Sequence, residues 1–189
     1  MSAEYKIKAS PKTIDTADAQ ARPLLEGAKA KLGFVPNMYA HMAKVPGVLS
    51  TYIHGYEFFR GQSGFTPAEQ EVVLLTISRE NGCEYCVSAH SMIAENVSKV
   101  PADALQALRD GKPLSDARLA ALSNFTAVML QSRGKPSTDE VQAFLKAGFE
   151  EEHILQIVLA MAVKTLSNYA NHVNHPELDE AFSGHAWKA

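Results

Sequence analysis

Two cysteines, the chain's full complement, stand three residues apart in Cys83-Glu84-Tyr85-Cys86, and His90 follows four residues after the second. On a helix, positions three and four apart share a face, so both thiols and the imidazole would form one stripe. A thiolate that attacks a hydroperoxide becomes a sulfenic acid. A second thiol within reach condenses with it to a disulfide. Two cysteines on adjacent turns supply that second thiol without a large rearrangement. A helix beginning at Cys83 would set its sulfur among unpaired backbone N–H groups at the positive end of the macrodipole, which favours Cys83 as the more acidic thiol. His90 could hydrogen-bond the Cys86 sulfur or carry its proton.

Two other readings fit the same residues. A structural zinc needs four ligands, and with no second cysteine pair the set would be completed by His90 with one of His153, His172 or His175. Alternatively, two reduced cysteines simply pack. A structural disulfide across so short a loop would restrain the unfolded chain little. In a reducing compartment the pair reads as catalytic or metal-binding.

Glu71 lies twelve residues before Cys83, just ahead of the apolar run from Val72 to Ile77. A carboxyl there, desolvated and raised in pKa, could act as a base or relay. From spacing alone it reads first as a first-turn glutamate favouring a helix N-terminus, together with Glu69. Tyr85 is placed either to donate a hydrogen bond near the sulfurs or to pack. Tyr52, Tyr56 and Phe59 read as core or subunit interface, or as the lining of a hydroperoxide pocket. His172 and His175 read as a solvated helix end, and His54 as a partly buried packing residue.

The elements that must hold these groups are helices. Thr16 or Asp18 starts a segment that runs to about Lys31 and ends at Gly33, and Pro36-Asn37 opens a short helix toward Ala43. After Pro46, Val48, Tyr52, Tyr56 and Phe59 mark one apolar face, ended by Gly61 and Gly64. Thr66-Pro67-Ala68-Glu69 combines a cap, a proline at the first position and a glutamate at the third. The helix it opens is apolar all round to about Arg79, which predicts a central, buried position. Asn81-Gly82 breaks it, and the next helix runs from about Cys83 to Asn96. Further helices are expected from Pro101 to Arg109, from Ser115-Asp116 to Leu130, from Ser137 to Ala147 and from about Glu150 to Val173. No segment reads as a strand, so the fold class is all-α.

Glu69 to His90 can also be laid on Glu151 to His172 at an offset of 82 residues, which would make two pseudo-repeated halves. The tail after Ala181, with Trp187, is either loose or packed on a neighbouring subunit.

Apolar residues make up 46% of the 189 positions and charged residues 21%, enough for a core and a solvated surface in one domain. The net charge of -3, with Lys and Arg scattered singly, argues against nucleic-acid binding. Met1 to Ser10 lacks the apolar stretch of a signal peptide, and no run approaches a membrane span. The expectation is a cytoplasmic protein.

Glu71, the twelve-residue gap and Cys83-x-x-Cys86-x-x-x-His90 together resemble the core signature of the alkylhydroperoxidase AhpD-like family, within the carboxymuconolactone decarboxylase-like superfamily. Tyr85 before the second cysteine, and Gly33-Phe34-Val35-Pro36-Asn37, are similar to the peroxidase-related subgroup. The region from Asn168 to His172 is compatible, so the likeness spans about Lys31 to Asp179. The resemblance implies an AhpD-like helical bundle over 1-189 and homo-oligomers, commonly trimers or hexamers. It also implies a peroxiredoxin-type, thiol-dependent peroxidase or disulfide oxidoreductase with no metal or organic cofactor. Its partners would be a hydroperoxide substrate and a thiol or dithiol reductant protein. Cys86 would attack, Cys83 would resolve, and Glu71 and His90 would relay protons. The AhpD pattern has a histidine where Tyr85 stands, so here a phenol replaces an imidazole. Two other functions remain alternatives: a lactone decarboxylase-type enzyme using Glu71 and His90 without thiol chemistry, and a zinc-stabilised interaction module.

Overall fold

The computed structural model describes residues 4–189, so Met1, Ser2 and Ala3 of the amino-terminal reading lie outside the described residues. Within them the chain is helical, with no strand: α1 Arg22–Leu32, α2 Asn37–Met42, α3 Pro46–Gln62, α4 Pro67–Glu80, α5 Glu84–Asn96, α6 Ala102–Asp110, α7 Ala117–Gln131, α8 Thr138–Lys146 and α9 Glu151–Asn174. A 3-10 helix, Glu180–His185, follows.

α4 is the axis of the bundle. Thr66 accepts from the Glu69 N–H at 3.3 Å while the Glu69 carboxylate accepts from the Thr66 N–H at 2.8 Å, closing a capping box behind Pro67. Every residue from Glu69 to Ser78 is buried, because α5, α7 and α9 pack around this helix, with α3 and α6 completing the shell. One apolar cluster surrounds α4, with Phe125, Phe144 and Phe149 stacked beside it. A second joins α1, α2 and α3 to the start of α5, and Cys83, Tyr85 and Cys86 belong to it.

The turn between α4 and α5 fixes the thiols. Gly82 takes a φ of +65°, a left-handed conformation that costs glycine nothing. The Cys83 N–H then bonds back to the Ser78 carbonyl at 2.9 Å, leaving Cys83 as the N-cap of α5.

Four expectations are corrected. α1 starts at Arg22, not at Thr16 or Asp18, because Pro23 lacks an N–H and fits only the first turn of a helix. The Asp18 carboxylate instead closes a turn, accepting from the Gln20 and Ala21 N–H groups. The 82-residue offset lays a helix–turn–helix on the uninterrupted α9, so those segments are not structural repeats. The tail is not loose but is held on its own chain. Trp187 donates from its backbone to Ser88 and from its indole to the Arg109 carbonyl, both at 3.0 Å, and Arg109 holds the carbonyls of His185 and Ala186. His54 is exposed, with its ring against Phe58. No helix among the described residues is long and apolar enough to cross a membrane.

Candidate functional site

Four helices converge on one buried polar cluster. α3 contributes Tyr56 and Arg60, and α4 contributes Glu71. α5 contributes Cys83, Cys86 and His90, and α9 contributes Lys164, Ser167, Asn168 and Asn171.

Glu71 is fully buried, and both of its oxygens are used. Arg60 donates to Oε1, and His90 Nδ1 lies 2.8 Å from Oε2. Arg60 is itself braced by the Tyr56 hydroxyl at 2.6 Å and by Gln70 at 3.2 Å. Burial pushes the Glu71 carboxyl upward, but the charges and hydrogen bonds of His90 and Arg60 outweigh it and hold the group below its ordinary value. The expected raised pKa is therefore corrected, because desolvation alone does not decide a carboxylate with two donors. An ionised carboxylate only accepts, so His90 must carry its proton on Nδ1. Burial, then the Lys164 charge, keep the imidazole below its usual pKa despite Glu71. A neutral His90 thus leaves Nε2 with a free lone pair. The bond His90 makes is to Glu71 rather than to the Cys86 sulfur.

Both cysteines are buried free thiols. The Asn171 amide reaches Cys86 Sγ at 3.3 Å and Cys83 Sγ at 3.6 Å, and also touches Met38 Sδ at 3.4 Å. Burial pushes the Cys86 thiol up, yet hydrogen bonds from Cys83 and Ser167 and the Lys164 charge bring it well below its ordinary value. Cys83 is pushed up, first because it donates to Cys86 and then by burial. This reverses the helix-terminus expectation. Where two thiols share one proton, the thiolate with the stronger donors wins, and the Asn171 amide on α9 lies nearer Cys86 than Cys83.

Cys83 lies on the wall of an open groove of about 740 Å³, with Asn81, Tyr85, Asn171, His172 and His175 among its other lining residues. Cys86 sits behind that wall. His172 and His175 line this open groove at the end of α9, His175 exposed, in keeping with a solvated helix end. Tyr85 donates to Asp179 and accepts from the Met38 N–H at 3.4 Å, so its hydroxyl points to the carboxyl-terminal segment and not to the sulfurs. Tyr52 and Phe59 are core; Tyr56 stacks on Tyr52 and orients Arg60. Among the described residues no three His, Cys, Asp or Glu side chains converge as metal ligands. His153 instead accepts from the Glu150 N–H at 3.0 Å at the start of α9.

Residues 49–128, which hold Glu71, both cysteines and His90, match the model of the carboxymuconolactone decarboxylase family. That segment is similar to the carboxymuconolactone decarboxylase family, and the fold as a whole is AhpD-like. That fold is shared with an alkylhydroperoxidase AhpD core, an uncharacterised peroxidase-related protein from Ralstonia eutropha JMP134, at a TM-score of 0.81, 20% identity and 93% coverage of each chain. A peroxidase-related protein from Silicibacter sp. TM1040 gives 0.75 and 22%, covering 95% of this chain and 96% of the other. A cysteine-to-alanine variant of the debrominase Bmp8, in complex with 2,3,4-tribromopyrrole, gives 0.73 and 18% over 95% of both chains. No curated protein matches the sequence.

The matched segment holds the motif, but α9 lies outside it. Sequence reasoning missed Arg60, Lys164, Ser167 and Asn171. A signal for three of them was present: Lys164, Ser167, Asn168 and Asn171 fall at helical spacing, one polar stripe within a strongly apolar helix.

Proposed function

We propose that the chain is a thiol oxidoreductase that reduces organic hydroperoxides through a Cys83–Cys86 disulfide cycle. The observation that carries this reading is the pair of buried free thiols beneath one Asn171 amide, 3.3 Å from Cys86 and 3.6 Å from Cys83, with the Glu71–His90 pair alongside. The Cys86 thiolate attacks the distal peroxide oxygen. The O–O bond breaks, and the leaving alkoxide takes a proton from solvent, through His90, to become the alcohol. The Cys83 thiol then condenses with the Cys86 sulfenic acid, releasing water and forming the disulfide. An external dithiol restores the pair: its thiolate attacks Cys83, the sulfur on the groove wall, and Cys86 leaves as the stabilised thiolate.

Glu71 fixes the tautomer of His90, and Arg60 keeps Glu71 ionised, so Nε2 remains available for the proton. Exposed Leu155, Val158 and Tyr169 along α9 support self-association of the protein. Steady-state loss of cumene hydroperoxide with dithiothreitol is expected to vanish in both Cys83→Ser and Cys86→Ser. Full turnover in either variant overturns the mechanism.

A second reading is favoured by the likeness to the debrominase complex. The same dithiol would reduce a halogenated aromatic, converting carbon–bromine to carbon–hydrogen and releasing bromide as the disulfide forms. Bromide release from a bromopyrrole, without loss of hydroperoxide in the parallel assay, would select it.

A further inference from the structure

The cation on α9 has no assigned partner. Lys164 is fully buried, and its Nζ makes no hydrogen bond. One turn further on, Asn168 accepts from the Asn81 amide at 2.9 Å, while its own buried Nδ2 also lacks an acceptor. Asn171, on the next turn of the same face, reaches both sulfurs. α9 thus carries a buried row of donors at helical spacing whose last member, Asn171, reaches the thiols, and an isolated buried ammonium is costly unless an anion answers it.

The charges of the cluster show which anion is missing. Arg60 and Lys164 are cations, Glu71 is the carboxylate, and His90 is neutral. Arg60 already answers Glu71. One positive charge is left over, and a thiolate at Cys86 cancels it. Forming the disulfide removes that thiolate and leaves the ammonium alone in the core.

We propose that Lys164 is the fixed counter-ion of the Cys86 thiolate and makes the Cys83–Cys86 disulfide a strong oxidant, because oxidation strands its buried charge. The proposal rests on the thiol–disulfide reading above. In the reducing direction, two electrons from a thiol donor and the proton that Cys83 takes up yield one thiol and one thiolate, and Lys164 favours that product. It is a positioning residue, acting on the sulfur by charge. The other titratable groups around Cys86 are Tyr52 and Tyr56 from α3, Cys83 and His90 from the start and first turns of α5, Tyr85 with its hydroxyl turned to Asp179, and, through His90, Glu71 from α4.

The test uses the whole chain equilibrated in glutathione and glutathione disulfide, with the oxidised fraction read by alkylation and intact mass. Lys164→Met is expected to shift the equilibrium toward disulfide at least tenfold, about 30 mV for a two-electron couple. It should also move the ultraviolet thiolate titration upward, while Lys164→Arg keeps both near wild type. Wild-type values in Lys164→Met overturn the proposal. A second measurement needs no variant: reduced wild-type protein should resist denaturant better than oxidised protein. An oxidised form equal or greater in stability also overturns it. If wild-type protein forms no disulfide at any glutathione ratio, the underlying thiol–disulfide reading fails instead, and the proposal with it.

Discussion

Replacing Glu71 by glutamine tests the buried network most severely. The carboxylate accepts from Arg60 on one oxygen and from His90 on the other, with nothing exposed. Glutamine keeps the shape but offers one oxygen and one NH2 group, so one of two buried donors must face another donor. Removing one partner of a buried ion pair costs about 3–5 kcal/mol. The Arg60 side chain is 21% exposed and can recover some hydration, which lowers the expectation to about 2–4 kcal/mol. For a chain of this size, that corresponds to a fall in Tm of about 5–15 °C.

The pH dependence carries a sign. Folding depresses Glu71 below its ordinary value of 4.5, so its contribution is present above that value and lost as pH falls through the folded pKa. His90 is depressed below 6.5, so the unfolded chain binds the proton first, and stability declines as pH falls from there toward its folded pKa. Urea unfolding followed across this range should show both losses in wild type and should lack the Glu71 loss in Glu71→Gln. His90, deprived of the carboxylate, should titrate lower still by NMR. A variant within about 0.5 kcal/mol of wild type, with an unchanged His90 titration, would refute the reasoning, since a change that small is typical of surface sites.

Three further outcomes are expected. Asn171→Leu removes the amide that reaches both sulfurs. Because a hydrogen bond to a charged group contributes about 1.5–3 kcal/mol, the Cys86 thiolate titration should rise by about 1–2 units in ultraviolet absorbance. Gly55→Ala would set a Cβ 2.9 Å from Val163 Cγ2, where α3 meets α9, and should cost about 1–3 kcal/mol in urea unfolding. Tyr85→Phe leaves Asp179 without its phenol donor, so stability should fall by about 1–3 kcal/mol while the Cys86 titration barely moves.

Local signals in the sequence were enough for the helices and for the motif. The capping box at Thr66 and Glu69, the apolar run of α4 and the Asn81-Gly82 break are all written within a few residues of where they act. They place Cys83 at a helix start and His90 one turn past Cys86. Local reasoning failed where a distant helix decides. The helix dipole pointed to Cys83 as the acidic thiol, but the donors from α9, some 80 residues away, favour Cys86. Glu71 looked like a desolvated carboxyl because Arg60 and His90 come from other helices. The tail failed for the same reason: Trp187 is held by the Arg109 carbonyl on α6. Pro23 was a different case, a local stop that marked the start of α1 directly.

Intact-mass measurement before and after mild treatment with an organic hydroperoxide tests the central claim most directly. A Cys83–Cys86 cycle predicts the loss of two hydrogens in the wild-type chain, reversed by dithiothreitol. In Cys83→Ser the mass should instead rise by one oxygen as the Cys86 sulfenic acid accumulates, and in Cys86→Ser it should not change. An unchanged wild-type mass, or loss of two hydrogens in either variant, would contradict the account.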